Sequence, residues 1–493
     1  MSAHRPYFFN ARLKLIAGFF CLTSCAVGPD FKSPEMHAPA RYGQQKAADQ
    51  TYAAAVDTRW WRAFRDPELN SLVSRLARQN LDLKQGLARI DQAGARVRIA
   101  RSQGLPNLDW TGSYSYVHQS KSGFVSLVTR RPDAPTDYNF FQNTLGASWD
   151  LDLFGRVRRM TEAQRASQLA ATERRHALAL SVVARLSDTY MQLRGVQDVL
   201  RVTRATRDIA KSNLKLVGDR YREGANTTAD LARARGEVTA IDAMIPPLQN
   251  SETQLINAIG LLLAEPPEAL AVELRQPDMQ PAAPPTVPTG LPSALAHRRP
   301  DIREAEAQLH AATAEIGAAK ASFYPDIILN GQVGTQTLSA QQFFSMPARQ
   351  FTTGPSLVLP IFEGGRLSGN LRLTKAAQKQ AALQYRQTVL TAWNEVDNAL
   401  SAYQQFKTRH AVVAETLREA RKTLSATRQQ YREGATDYLD VNSALRDVLA
   451  GEAAFAESRT EINVALVALY KALGGGWDYA DGANGHTVTP MSE

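Results

Sequence analysis

The placement of proline constrains this chain more than any other feature. Of its 24 prolines, none falls between Thr136 and Ile245, and none between Ile361 and Thr489. A proline inside a helix removes a backbone donor and clashes with the preceding turn, so these two windows are where long helices can stand. Between them Pro266, Pro267, Pro277, Pro281, Pro284, Pro285, Pro288 and Pro292 crowd into one stretch. That stretch reads as an extended connector.

Both windows carry heptad spacing. Val389, Trp393, Val396, Leu400 and Tyr403 step by four and three, as do Ile462, Leu466, Leu469 and Leu473. Leu186, Tyr190, Leu193, Val196 and Leu200 follow the same rhythm less strictly. A repeat of about 3.5 residues keeps an apolar seam facing a neighbouring helix in a supercoil. The halves also resemble each other. Tyr221-Arg222-Glu223-Gly224-Ala225 returns as Tyr431-Arg432-Glu433-Gly434-Ala435. In each copy the glycine can end one helix, and Thr227/Thr228 or Thr436/Asp437 can cap the next. Leu151-Asp152-Leu153-Phe154 answers Leu359-Pro360-Ile361-Phe362, and Pro106-Asn107-Leu108 answers Pro325-Asp326-Ile327. The unit, occurring twice, is helix, strand pair, long helix, turn, helix.

The strand pairs alternate. Leu108, Trp110, Tyr114 and Tyr116 share one face, and Asn107, Asp109, Thr111, Ser113 and Ser115 the other. The partner strand sets Phe141, Leu145, Ala147, Trp149 and Leu151 against Gln142, Thr144, Ser148 and Asp150. A barrel strand with lipid outside and a wet lumen requires this alternation, and a half-buried sheet in a soluble domain shows the same period. The second pair, around Ile327, Leu329 and Val333 and around Leu357, Leu359 and Ile361, is weaker. Two hairpins supply four strands, too few to close a barrel. Two chains would give eight, whose side chains fill the lumen. Three chains give twelve, which favours a cyclic trimer.

The N-terminus reads as an export signal. Arg5, Arg12 and Lys14 precede the apolar run Leu15–Leu22, which is too short to span a bilayer. Leu22-Thr23-Ser24-Cys25 resembles a bacterial lipobox, with Cys25 the lipid acceptor; a plain signal peptide with an incidental cysteine is the alternative. Ala26 stands where an Asp would favour retention at the inner membrane, which points to the outer one. Removing the acid-free leader lowers the formal charge from +9 to +6. The remaining Lys and Arg are interspersed with Asp and Glu along helices, which suits a solvated face better than a nucleic-acid surface. The two cysteines, Cys21 and Cys25, cannot staple a mature domain. Walker, His-Glu-x-x-His and Gly-x-Ser-x-Gly patterns are absent from the sequence, and its eight histidines are scattered. No catalytic residue, metal site or cofactor is therefore expected beyond the covalent lipid on Cys25.

Several ordered motifs then carry a family resemblance. They are Trp60-Trp61, Phe64, Asp66-Pro67, Leu69 and Asn80-Leu81-Asp82-Leu83; Leu291-Pro292-Ser293 and Arg298-Arg299-Pro300-Asp301-Ile302-Arg303 with Ala305-Glu306; and Ala468-Leu469-Tyr470-Lys471-Ala472-Leu473-Gly474-Gly475-Gly476-Trp477. The chain resembles the TolC family of outer-membrane efflux factors, in its lipoprotein branch that pairs with resistance-nodulation-division pumps. The resemblance covers nearly the whole mature sequence. It implies a membrane α+β fold, a homotrimeric 12-stranded β-barrel continued by an α-helical coiled-coil barrel, with an equatorial belt. It implies passive export from the periplasm, driven by an inner-membrane transporter through a periplasmic adaptor. A gate at the periplasmic end carries over to Asp230, Tyr431, Asp440 and Arg446. Each of these has a plainer reading, Tyr431 as a seam residue and Asp440 as a helix-start acid. Ser443 stands where some relatives have an acid. A periplasmic adaptor lipoprotein is the alternative function, but it would carry one helical hairpin between Gly-rich β halves.

The expected domains are a signal peptide (1–24), a lipidated segment with the first helix (25–103), the first barrel hairpin (104–155) and the first long helical hairpin (156–265). A Pro-rich equatorial linker (266–300), a helix (301–323), the second barrel hairpin (324–362), the second long helical hairpin (363–477) and a tail (478–493) follow.

Overall fold

The computed structural model describes residues 26–35, 38–39, 42–43, 51–52, 58–120, 136–276, 280–281, 283, 287–288 and 292–477. The expected signal sequence, Cys25 and the expected tail lie outside these. In chain order the helices are α1 (Pro67–Gln79), α2 (Leu81–Ser102), α3 (Arg156–Arg222), α4 (Thr228–Leu262), α5 (Ala271–Leu274), α6 (Leu295–Arg298), α7 (Pro300–Ala321), α8 (Arg366–Arg432) and α9 (Tyr438–Ala472). The strands are β1 (Thr51–Tyr52), β2 (Asn107–His118), β3 (Asp137–Asp150), β4 (Val287–Pro288), β5 (Asp326–Thr337) and β6 (Arg349–Val358). The repeat is strict. Helices α3 and α8 have 67 residues each and α4 and α9 have 35 each. Arg366 follows Arg156 by 210 positions, as Tyr438 follows Thr228.

The chain divides into two compact units. The first takes in residues up to Pro34, Asp91–Ala170 and Glu306–Gln384. It holds one antiparallel sheet of order β2-β3-β5-β6. The register sets Trp110 beside Leu145, Leu145 beside Val333 and Val333 beside Phe351. All of these share one face. β3 hands over to α3 at Asp152, whose carboxylate accepts from the Val157 and Arg158 amides at 2.9 Å each and so caps the first turn. Residues 27–31 lie along this junction. The Val27 amide donates to the Phe154 carbonyl, Arg159 donates to Asp30 at 2.6 Å, and Phe31 stacks on His310. Gly28, at φ +118°, touches Gly317 so closely that a Cβ would sit 2.4 Å from the Gly317 Cα. Only glycine fits there.

The second unit takes in Glu35–Ile90, Ala171–Ala305 and the chain from Tyr385. Its core is the coiled-coil seam. Leu186, Tyr190, Leu193 and Leu200 of α3, Val389, Val396, Leu400 and Tyr403 of α8, and Ile462, Leu466, Leu469 and Leu473 at the end of α9 are all buried. Trp60 stacks on Tyr470 and donates to the Gly475 carbonyl at 3.0 Å, tying the start of this unit to its end. Asp66 caps α1 by accepting from the Leu69 amide, and the Tyr190 hydroxyl donates to its other oxygen at 2.8 Å.

One sequence expectation needs correction. The stretch 266–300 is not a simple extended connector. It forms α5, α6 and the short β4, which pairs in parallel with β1, and Leu270, Leu274, Val287 and Leu295 are buried. Arg194 and Gln197 donate to the Gln276 and Leu274 carbonyls, so part of the stretch is clasped to α3. In the first helical pair, α4 runs beyond the proline-free window, through Pro246 and Pro247, to Leu262. Pro246 and Pro247 cannot donate to the carbonyls of Asp242 and Ala243 one turn back, but both of these residues are exposed and water can serve them. Among the described residues no helix is long and apolar enough to cross a membrane.

Candidate functional site

The first candidate surface is the sheet. Its apolar face leaves Trp110 at 69%, Tyr114 at 61% and Phe351 at 81% of full exposure, an uncommon state for large aromatics in water. The opposite face is polar throughout its middle. A hollow of about 300 Å³ there is lined by Asp109, Thr111, Ser113, Gln142, Thr144 and Asn330, among others. Ladder bonds join the four strands, while β2 and β6 keep one unpaired edge each. A sheet with an exposed aromatic face, a wet face and two open edges is built to be closed by further copies and surrounded by lipid.

The second candidate surface is the pair of helical turns. Gly224 and Gly434, at φ +76° and +79°, end α3 and α8 in left-handed conformation. The amides of Ala225 and Ala435 reach back to the carbonyls of Arg220 and Gln430. Asp230 and Thr227 form a reciprocal capping box at the start of α4: the Thr227 amide and hydroxyl donate to the Asp230 carboxylate at 2.9 and 2.7 Å. These bonds, with Arg233 nearby, hold the Asp230 carboxyl below its usual range. In the second copy Asp437 caps α9, and the Thr436 hydroxyl donates to Asp440.

Tyr431 and Arg446 link the two copies. Tyr431 is 5% exposed, whereas its repeat counterpart Tyr221 is 40% exposed. The Arg220 guanidinium lies 4.3 Å from the Tyr431 ring centre, the Asn226 amide donates to the Tyr431 hydroxyl at 3.4 Å, and Tyr438 packs edge-on. Within the chain Arg446 pairs with a carboxylate on α4 other than Asp230. Its Nε and Nη2 donate at 2.8 and 2.5 Å to Glu237, a buried carboxylate seven residues beyond Asp230 on the same helix. The hydrogen bond to Glu237, and then the Glu237 charge, raise the pKa of Arg446. Burial, and then Glu237, push Tyr438 up to about 12, so its hydroxyl keeps its proton.

Sequence reasoning missed Glu237 and Tyr438. The register offers Gly236 opposite Arg446 and Asp447 opposite Glu237, so matching the copies gives no hint of this pair. Ser443 is exposed. Beside this cluster a cleft of about 480 Å³ is lined by Asp208, Ser212, Arg428, Tyr431, Arg432 and Tyr438, among others.

With this geometry in hand, comparison with known proteins gives the class. The outer membrane efflux protein family matches residues 72–265 and 291–475. Outer membrane protein OprJ of Pseudomonas aeruginosa is 33% identical over 95% of this chain and 96% of its own. Nodulation protein T of Rhizobium leguminosarum bv. viciae is 32% identical over 92% of each. The solved outer-membrane channel OprN superposes with a TM-score of 0.84 at 32% identity, covering 92% of this chain and all of its own. The chain belongs to the outer membrane efflux protein family, the family that the sequence motifs resemble. It is an outer-membrane efflux component, located in that membrane. Its fold class is that of the trimeric outer-membrane channels, a four-stranded barrel segment with two copies of a long helical pair. The adaptor alternative is not supported.

Proposed function

We propose that three copies of this chain close one 12-stranded barrel, β6 of each pairing with β2 of the next, and form the exit duct of a tripartite efflux pump. The observation that carries this reading is the sheet itself: four strands with two open edges, one face aromatic and one polar. Four strands cannot enclose a lumen, and twelve leave a conduit. The 67-residue helices, about 100 Å each if straight, continue the duct into the periplasm. Transport through it is passive diffusion with no catalytic step. An inner-membrane transporter of the resistance-nodulation-division type supplies the energy, and a periplasmic adaptor joins the two. The Cys25 lipid adds a second anchor. The cargo is a set of small molecules chosen by the pump.

Growth-inhibition profiling of a deletion strain tests this. Loss of the chain should sensitise cells to the same compounds as loss of its transporter, and the chain should restore resistance in trans. Unchanged sensitivity across antibiotics, dyes, detergents and metal ions would argue against an efflux role.

A further inference from the structure

The loop between β5 and β6 has a composition that export does not explain. Ser339–Ala348 contains Phe343, Phe344 and Met346, at a hairpin tip where polar residues are the rule. Phe344 is 82% and Met346 69% exposed. The loop leans on the aromatic face of the sheet and not on the polar one. Tyr114 and Phe141, paired across β2 and β3 on that face, have ring centres 4.9 Å apart. Phe343 meets Phe141 edge-on at 6.3 Å, and Phe344 meets Phe343 at 5.0 Å. One line of aromatic contacts thus runs from the lipid-facing strands into the loop.

Arg349, the first residue of β6, follows the loop directly. By register with Thr335 and by alternation with Phe351, it stands on the same aromatic face. In the single chain it is exposed and has no carboxylate partner among the described residues. An unpaired arginine on the lipid side of a strand is costly unless it meets an anion, and its planar fork suits phosphate. This end of the hairpin is the one remote from α7 and α8, which join the other ends of β5 and β6. In the barrel it lies at the outer leaflet.

Resting on the barrel reading, we infer that the β5–β6 loop is a docking surface for an outer-leaflet phosphorylated glycolipid of the lipid A type. Phe343, Phe344 and Met346 enter its acyl layer, and Arg349 holds a phosphate. The apolar side chains continue an existing lipid-facing band, and the cation at their edge is complementary to the anionic headgroup.

Spin-label accessibility decides where the loop lies. Phe344→Cys, Phe351→Cys and Gln142→Cys, each alone, are spin-labelled in the full trimer, reconstituted into bilayers containing lipid A. Position 351 should be oxygen-accessible and position 142 accessible to a water-soluble nickel chelate; failure of these two controls would overturn the barrel reading instead. With both controls in place, position 344 should behave like 351. Behaviour like 142 would overturn the loop assignment. The headgroup is tested by titrating delipidated trimer with lipid A or phosphatidylglycerol under native mass spectrometry. Arg349→Gln should weaken retention of lipid A by at least about fivefold and leave phosphatidylglycerol unaffected. Equal retention of lipid A by both proteins, or an equal loss for both lipids, would overturn the assignment of Arg349 to lipid A.

Discussion

Arg446 of α9 reaches across to the buried carboxylate of Glu237 on α4, which ties the two internal repeats together beside the helical turns. Asp230, on the same helix, is occupied by its own capping box. Glu237–Arg446, together with Arg220 on Tyr431, therefore joins the two copies, whereas Asp230 is held within its own helix start.

We propose that these contacts hold a periplasmic gate shut, and cutting them should open it. The Glu237 carboxylate is buried but the Arg446 guanidinium is exposed, so solvent screens the pair to on the order of 1 kcal/mol, and three symmetric copies acting together bias an equilibrium appreciably. Arg446→Ala combined with Asp440→Ala should raise single-channel conductance in planar bilayers and sensitise cells to large antibiotics. Glu237→Gln alone should also raise conductance, whereas Asp230→Asn should mainly loosen the α4 cap. Unchanged conductance in assembled Arg446 and Glu237 variants would return both to ordinary helix charges.

The barrel faces make a second prediction. Trp149 lies near the end of β3 that leads into α3, and its indole donates to the Gly104 carbonyl at 3.0 Å; on the barrel reading this end of the strand falls near the membrane boundary. Trp149→Arg should cost about 0–1 kcal/mol per chain there, and Leu145→Arg, four residues deeper, about 2–4 kcal/mol. Ser148→Arg and Thr144→Arg, on the polar face, should assemble normally and alter ion selectivity. Heat resistance of the trimer on gels separates the two sets. Equal behaviour of Leu145→Arg and Thr144→Arg would contradict the face assignment.

The strand faces were legible in the sequence because a strand alternates with period two whatever surrounds it, so Trp110 and Thr111 declared their sides directly. Seam residues such as Leu400 and Leu466 were legible for the equivalent helical reason. Glu237 was not, because its pairing depends on how two supercoiled helices slide past each other, which a one-chain pattern does not encode. Residues 266–300 were misjudged because proline content signals the absence of long helices, not the absence of packing. Leu274 and Val287 show that a broken chain can still fill a core.

Mass spectrometry of the mature N-terminus should find an acylated Cys25. Cys25→Ser should weaken anchoring yet leave trimers, because an acyl chain adds roughly 0.8 kcal/mol per buried CH₂ to a barrel already embedded. An unmodified mature chain starting elsewhere would remove the lipid anchor from this account.

A pH effect should come from the second unit. Arg75 donates to both oxygens of Glu273 at 3.0 Å and to Glu265 at 2.8 Å. Burial, and then the hydrogen bond and charge of Glu273, push Glu68 up to about 7. A raised carboxyl pKa means that the fold favours the protonated form, so this contribution is full below the ordinary 4.5 and is lost as pH rises through about 7. The melting temperature, followed by tryptophan fluorescence, should rise by about 1–3 °C from pH 8 to pH 6, and Glu68→Gln should flatten that slope. A slope unchanged in the variant would assign the effect elsewhere.

The closing of three chains into one duct is most directly tested by electron microscopy of the full-length protein in lipid nanodiscs, viewed along the membrane normal. The account predicts a threefold ring with a central, stain-filled pore. Single chains, or twofold particles with no lumen, would contradict it.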